Sequence, residues 1–476
     1  MEKTVNQPEE STPKEQGSVD MMNPIKTSVF DLYKVGPGPS SSHTIGPMKA
    51  AYDFLQRIQD LPKEQRAKAN KIRITLFGSL SATGAGHGTD RAVIAGLLGW
   101  KPAECDPEKF SALDTSDDAS YELTISDDHQ IEFKGQDIVF GPIAHDYPFS
   151  NTLIMELRAG SELLFDMEYY SVGGGFIQWK GWEEPEVETP PFPYKSMDEL
   201  KALLKKHDIP LHTLMLENEK VISGLSEQEI YDRMDAIINT MCAAVERGIS
   251  TTGVLPGSIE LQRKSPKVYE RAKGQTKRHD RFLVFLNAYC LAASEENAAG
   301  HLHVTAPTSG ASGVIPGVLY LMKKHYKNSM SDLRKGMLAA AAIGFLVKHN
   351  ASISGAEMGC MGEVGTASAM GAAMISYLND CDIRCLEVAA EIAIEHHLGM
   401  TCDPVGGYVQ IPCIERNAVG GVKAYNAYLL ASSGIPDSQK VTLDKVIDVM
   451  RETGRDMSKK YKETSQGGLA LSMTEC

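Results

Sequence analysis

The chain reads as an α+β protein, with a mixed α/β domain over residues 23–180 joined to an all-α domain over residues 201–466. Three observations predict this. Residues 71–77, K-I-R-I-T-L-F, alternate like a strand with one buried face, and further short strands fit 121–125, 130–133, 137–140 and 163–171. Residues 181–195, G-W-E-E-P-E-V-E-T-P-P-F-P-Y-K, carry Pro and Glu without periodicity, so 181–200 is read as a linker. Beyond residue 200 the apolar period becomes helical and no strong strand signal remains.

Taken in order, residues 1–22 lack both the apolar stretch of a secretory signal and the arginine-rich, acid-poor character of a transit peptide, and are expected to be disordered. Gly36–Pro39 forbid regular structure, and Ser40–Ser42 look like the entry to a helix, where hydroxyls and free amides can hold a carboxylate. The strand at 71–77 runs into G-S-L-S-A-T-G-A-G-H-G-T-D at 78–90, read as a glycine-rich turn, and then a helix at about 91–98. That turn lacks a dinucleotide or Walker fingerprint, and it presents His87 between Gly86 and Gly88. Gly173, Gly174 and Gly175 close the last strand in a turn of the kind that also cradles phosphate. In the second domain, Ser226 with Glu229 forms a capping box before a long amphipathic helix. Further helices are expected at about 281–299, 315–326, 332–348, 365–378, 383–398 and 419–433. Residues 467–476 are a tail ending in Cys476.

The 476 residues carry a net charge of −14, which argues against nucleic acid as a partner. The longest apolar run, 337–347, is too short for a membrane span. Nine cysteines without a small-scaffold pattern suit a reducing compartment, and the cytoplasm is expected.

Three of those cysteines, Cys360, Cys402 and Cys413, each sit in a turn marked by glycine or proline. Thiolates are soft donors that suit iron–sulfur clusters and zinc, and loops let sulfurs from distant segments converge. Packing as small apolar residues is the other reading, since no C-x-x-C pair is present. Cys105, Cys242, Cys290, Cys381 and Cys385 are read as structural.

Together P-S-S-S-H-T-I-G-P, A-G-H-G-T-D, E-E-N-A-A-G, the A-P-T-x-G-A loop, S-I-S-G-A-E-x-G-C-x-G-E-V-G, T-C-D-P-V-G-G and P-C-I-E-R-N-A resemble the single-chain iron–sulfur-dependent L-serine dehydratases, over about residues 25 to 476. The resemblance implies that the all-α domain is catalytic and carries a 4Fe-4S cluster on Cys360, Cys402 and Cys413, and that L-serine is converted to pyruvate and ammonia. The favoured base is His87, with His43 the alternative; Ser40, Ser41, Ser42 and His43 are expected to bind the substrate, and Thr308, Ser309 and Gly310 to line the opposite wall. Ser309 stands where the family commonly has Asn, and residues 1–22 match nothing in it. Cys476, with a thiol beside a free carboxylate, resembles L-serine and is expected to cap the open iron at rest. A homodimer is expected. A pyridoxal phosphate enzyme would need a reactive lysine, which the glycine-rich loops lack, and an iron–sulfur sensor would have no need of His87.

Overall fold

The computed structural model describes residues 23–184, 188–464 and 467–472. Its N-terminal part is built on a five-stranded sheet. The first strand among the described residues, β1 (Val35–Pro37), lies outside that sheet. β2 (Lys71–Leu76) buries Ile72, Ile74 and Leu76 on alternate positions, as its sequence predicts. The hairpin β3 (Ser120–Ser126) and β4 (His129–Lys134) stands apart, and β5 (Ile138–Phe140), β6 (Thr152–Ala159), β7 (Glu162–Ser171) and β8 (Ile177–Trp179) complete the sheet in the order β5-β2-β6-β7-β8. Only the β2/β5 pair is parallel. The helices Gly46–Asp60 and Thr89–Leu97 supply Phe54, Ile58, Val93 and Leu97 to a core shared with Ile74, Met155, Leu157 and Tyr169.

Four expectations need correction. β6 lies between β2 and β7 in the sheet although it was not foreseen, because Leu153, Ile154 and Met155 run together and mask its alternation. Residues 79–87 form a helix and not a turn. Their small side chains allow close packing: a Cβ on Gly86 would lie 3.3 Å from the carbonyls of Gly406 and Gly407. Gly88, with φ at 63°, separates this helix from the next. Finally, a strand does occur past residue 200: β9 (Leu302–Val304) pairs antiparallel with β1, in the segment where Gly36–Pro39 were expected to exclude regular structure.

The core of the C-terminal part is built mainly from helices. Ser226 and Glu229 cap the Glu227–Gly248 helix reciprocally, as predicted. Met330–Asn350 and Thr366–Leu378 pack through Ala339–Ala342, Met370 and Met374, all inaccessible to solvent. The first described residues also belong to this core. Ile25, Val29, Leu32 and Tyr33 belong to it, and the Glu219 carboxylate accepts from the Ser28 hydroxyl at 2.6 Å and the Val29 N–H at 2.9 Å. The segment joining the two parts is held as well: Tyr194 is buried, the Phe192 N–H donates to Asn218, and the Met197–His207 helix follows. Among the described residues no helix is long and apolar enough to cross a membrane.

Candidate active site

Cys360 lies at a break between two short helical turns, Gly355–Met358 and Met361–Gly365. Gly359 makes the break, with φ at 65° and the carbonyl of Met400 only 2.6 Å from where a Cβ would stand. Cys402 opens the loop to Gly407, and its backbone is clasped by the returning C-terminal segment: its N–H donates to the Tyr461 carbonyl at 2.8 Å, and its carbonyl accepts from the Thr464 N–H at 3.1 Å. Cys413 is the first residue of the helix Cys413–Ser433, which starts six residues before the expected position. All three thiols are buried.

The donor atoms of Cys360, Cys402 and Glu363 fall within 4.8 Å of one another. Cys413 stands outside that trio but within electrostatic reach of Cys360. A hydrogen bond with Cys402 lowers the pKa of Cys360, and the same bond together with burial raises that of Cys402, so thiolate character gathers on Cys360. Burial raises Cys413. The Arg416 guanidinium, bonded to the Thr401 carbonyl at 2.5 Å, sits close enough to favour negative charge on Cys360.

Glu363 joins the cysteines to the loop before the Val314–Leu321 helix. One carboxylate oxygen accepts from the Thr308 hydroxyl at 2.7 Å, and the other lies 3.8 Å from the Cys402 sulfur. Burial, and then the nearby Glu463, push this carboxyl up to about 7. The carboxylate needs two glycines beside it, because a Cβ on Gly310 or Gly355 would come within 2.9 or 2.8 Å of its oxygens.

The Ser40–His43 turn faces the same region. The Ser40 hydroxyl caps the turn by accepting from the His43 N–H at 3.0 Å. Ser41 accepts from the Ser309 N–H at 3.3 Å, and Asn297 donates to the carbonyls of both Pro39 and Ser309, tying the two loops together. The Ser309 hydroxyl itself pairs with His303 at 2.7 Å. His43 is wholly buried, with Nδ1 2.9 Å from Ser42 Oγ and Nε2 3.1 Å from Ser79 Oγ. His87, at the end of its helix, gives its Nδ1 to the Thr83 carbonyl at 2.8 Å, and the two imidazoles lie 4.6 Å apart between centroids. Burial pushes His43 down to about 4 and, with repulsion from His43, His87 down to about 3. Both shifts favour the neutral imidazole.

The Ser40–His43 turn, the Thr308–Gly310 loop, Cys360 and Cys402 therefore share one region, with His87 beside His43, but His87 is a buried helical residue and not a loop residue exposed between glycines. Two carboxylates were missed. Glu363 had a signal, lying three residues after Cys360 in the same motif. Glu463 had none. It reaches the turn from the C-terminal segment with a positive φ of 46°, accepts from Ser42 at 2.8 Å, and lies 3.4 Å from His43 Nδ1. Its carbonyl accepts from Ser79, and burial pushes its carboxyl up to about 7. Cys476 lies outside the described residues, as do residues 1–22. Nearer the loop, Leu469 donates its N–H to Asp403 at 2.8 Å, so residues 467–472 rest beside Cys402.

Residues 28–182 match the serine dehydratase beta chain family and residues 206–470 the serine dehydratase alpha chain family. The chain is 41% identical over 460 residues to the L-serine dehydratase of Haemophilus influenzae, covering 93% of this chain and 98% of that protein. It is likewise 41% identical over 457 residues to the L-serine dehydratase of Streptomyces coelicolor, covering 94% and 99%. With L-serine dehydratase 2 of Escherichia coli it shares 40% over 457 residues, again 94% and 99%.

Proposed function

The chain belongs to the serine dehydratase family, and on that premise we propose that it is an L-serine ammonia-lyase whose 4Fe-4S cluster is held by Cys360, Cys402 and Cys413. The observation that carries this reading is the meeting of buried Cys360 and Cys402 with Glu363, with buried Cys413 in electrostatic reach and the Ser/His turn joined through Thr308 and Ser309. The donor set fits such a group. It offers soft sulfur ligands, an arginine to offset thiolate charge, and at Gly355 a backbone without a side chain where a Cβ would lie 3.5 Å from the Cys402 sulfur. When bound, a cluster with only three protein ligands supplies an open iron, a Lewis acid that makes the serine β-hydroxyl a better leaving group.

His87 takes the α-proton. Its Nδ1 is committed to Thr83, which leaves the Nε2 lone pair for the substrate, and its low proton affinity keeps it unprotonated and ready. His43 stands beside it as the alternative acceptor, and Glu463, with the highest proton affinity of the three, is the place where that proton comes to rest. Ser40, Ser41 and Ser42 meet the substrate carboxylate, while Thr308, Ser309 and Gly310 form the facing wall. Loss of the α-proton to His87 and of the hydroxyl, which leaves as water once the proton held at Glu463 is returned to it, yields aminoacrylate, which tautomerises to an imine and takes up water to give pyruvate and ammonia. The C-terminal segment already lies against the Cys402 loop at Leu469, which supports Cys476 as a resting-state cap that serine displaces.

The test is pyruvate release from L-serine by anaerobically reconstituted protein, with Cys402→Ser beside it. Pyruvate should form with the native chain and disappear, with the iron and sulfide content, in the variant. A fully loaded cluster without pyruvate would refute the assignment.

A further inference from the structure

Three lysines from three different segments converge on the turn that ends β7. Lys34 directly precedes β1, Lys49 lies on the Gly46–Asp60 helix, and Lys348 lies in the last turn of Met330–Asn350. The turn is Gly173–Gly175, with φ of 91°, 56° and 72°. Those values favour glycine and turn two carbonyls outward. Lys34 Nζ donates to the Gly174 carbonyl at 3.1 Å and to the Asp31 carbonyl at 2.5 Å, and Lys49 Nζ lies 3.5 Å from the Gly175 carbonyl. Lys348 Nζ donates to the Thr27 hydroxyl at 3.1 Å. The ring of Phe176 receives two of them, with Lys34 Nζ 3.2 Å and Lys348 Nζ 4.5 Å from its centroid. Among the described residues none of the three ammonium groups has a carboxylate within 4.0 Å. Asp31 and Glu184 are the acidic groups in electrostatic reach; burial lowers the proton affinity of all three lysines, and Lys49 and Lys348 lower that of Lys34 further.

Half-buried cations gathered without counter-ions are costly unless something negative joins them. Each ammonium has three donors; those of Lys34 go to two carbonyls and the Phe176 ring, whereas Lys49 and Lys348 each keep at least one free. We infer that Lys34, Lys49 and Lys348, with the Gly173–Gly175 turn, form a binding site for a small oxyanion of the phosphate or carboxylate class, separate from the cysteine centre.

The site's position gives it leverage over that centre. A Cβ on Gly173 or Gly174 would lie 3.0 Å from Ser354 or Ile353, in the loop that leads to Cys360. On the other side, a Cβ on Gly175 would lie 3.0 Å from Ile45, and Ser171 donates its hydroxyl to the Ser42 carbonyl at 2.7 Å. An anion bound here clamps the sheet, the Ser40–His43 turn and the Cys360 loop to one another. It is an effector site at the seam between the two parts.

The binding test does not depend on the proposed reaction, so it can fail while the lyase reading stands, and the reverse. Inorganic phosphate and succinate, titrated separately at constant ionic strength against chloride, should bind one per chain by calorimetry and raise the melting temperature. The stronger of the two identifies which anion class the site takes. Lys49→Gln and Lys348→Gln should each weaken binding at least tenfold, while the exposed Lys68→Gln should leave it unchanged. Lys49→Gln should also hold or raise the melting temperature in anion-free buffer, because it relieves repulsion. If the lysines merely staple the turn, that substitution lowers the melting temperature, and neither anion shifts it more than chloride does. Either result would overturn the site.

Discussion

Glu463→Gln separates the proton path from the rest of the site. The substitution keeps the side chain's size and leaves an oxygen to accept from Ser42, but removes the carboxylate 3.4 Å from His43. With His43 at about 4 and Glu463 at about 7, the gap of about three units corresponds to ~4 kcal/mol favouring the proton on the carboxylate. If half of that is expressed in the transition state, kcat falls ~30-fold. The sign with pH follows. Glu463 can receive a proton only when ionised, so native kcat rises as pH climbs through about 7, and the variant should lack that limb. Stability moves the other way. A carboxyl whose folded pKa is raised from 4.5 to about 7 gives stability that is present below the unfolded value and lost as pH rises through the folded one. Above neutral pH the variant should therefore be more stable by up to ~3 kcal/mol, since a neutral amide pays no ionisation penalty. Anaerobic pyruvate release across neutral pH and urea unfolding of the same preparations measure both. A variant with native kcat and the native pH limb would refute the assigned proton path.

Three further substitutions probe the remaining parts. His87→Asn should lower kcat by ~10²–10⁴-fold with cluster content unchanged, and a loss confined to KM would remove His87 as the base. Gly355→Ala places a methyl 2.8 Å from Glu363 and 3.5 Å from the Cys402 sulfur, so iron and sulfide per chain should drop while far-ultraviolet circular dichroism stays native; full loading would show that the pocket tolerates the methyl. Deletion of Cys476 should lower the serine concentration for half-maximal rate and make the cluster more oxygen-labile, and unchanged kinetics and stability would end the capping idea.

What could be read from the chain was whatever is encoded locally. The alternation in β2, the Ser226–Glu229 cap and the glycine- and proline-marked positions of Cys360 and Cys402 each follow from a few neighbouring residues. Local rules failed where small residues serve packing. Residues 79–87 have no amphipathic stripe because their glycines and alanines admit the backbone of the Cys402–Gly407 loop, so a helix carrying His87 looked like a turn. Non-local partners left no trace at all. β1 exists only because β9 pairs with it from a point far along the chain, and nothing around Glu463 marks it as a partner for Ser42. The same distinction bears on which residues can be exchanged. Ser42, His43, Ser79 and Glu463 form one hydrogen-bonded unit drawn from three segments, so their substitutions should not add: Ser42→Ala in the Glu463→Gln background should cost less than Ser42→Ala alone. Strict additivity of the two in log kcat would mean that the C-terminal segment merely covers the turn and takes no part in setting its chemistry.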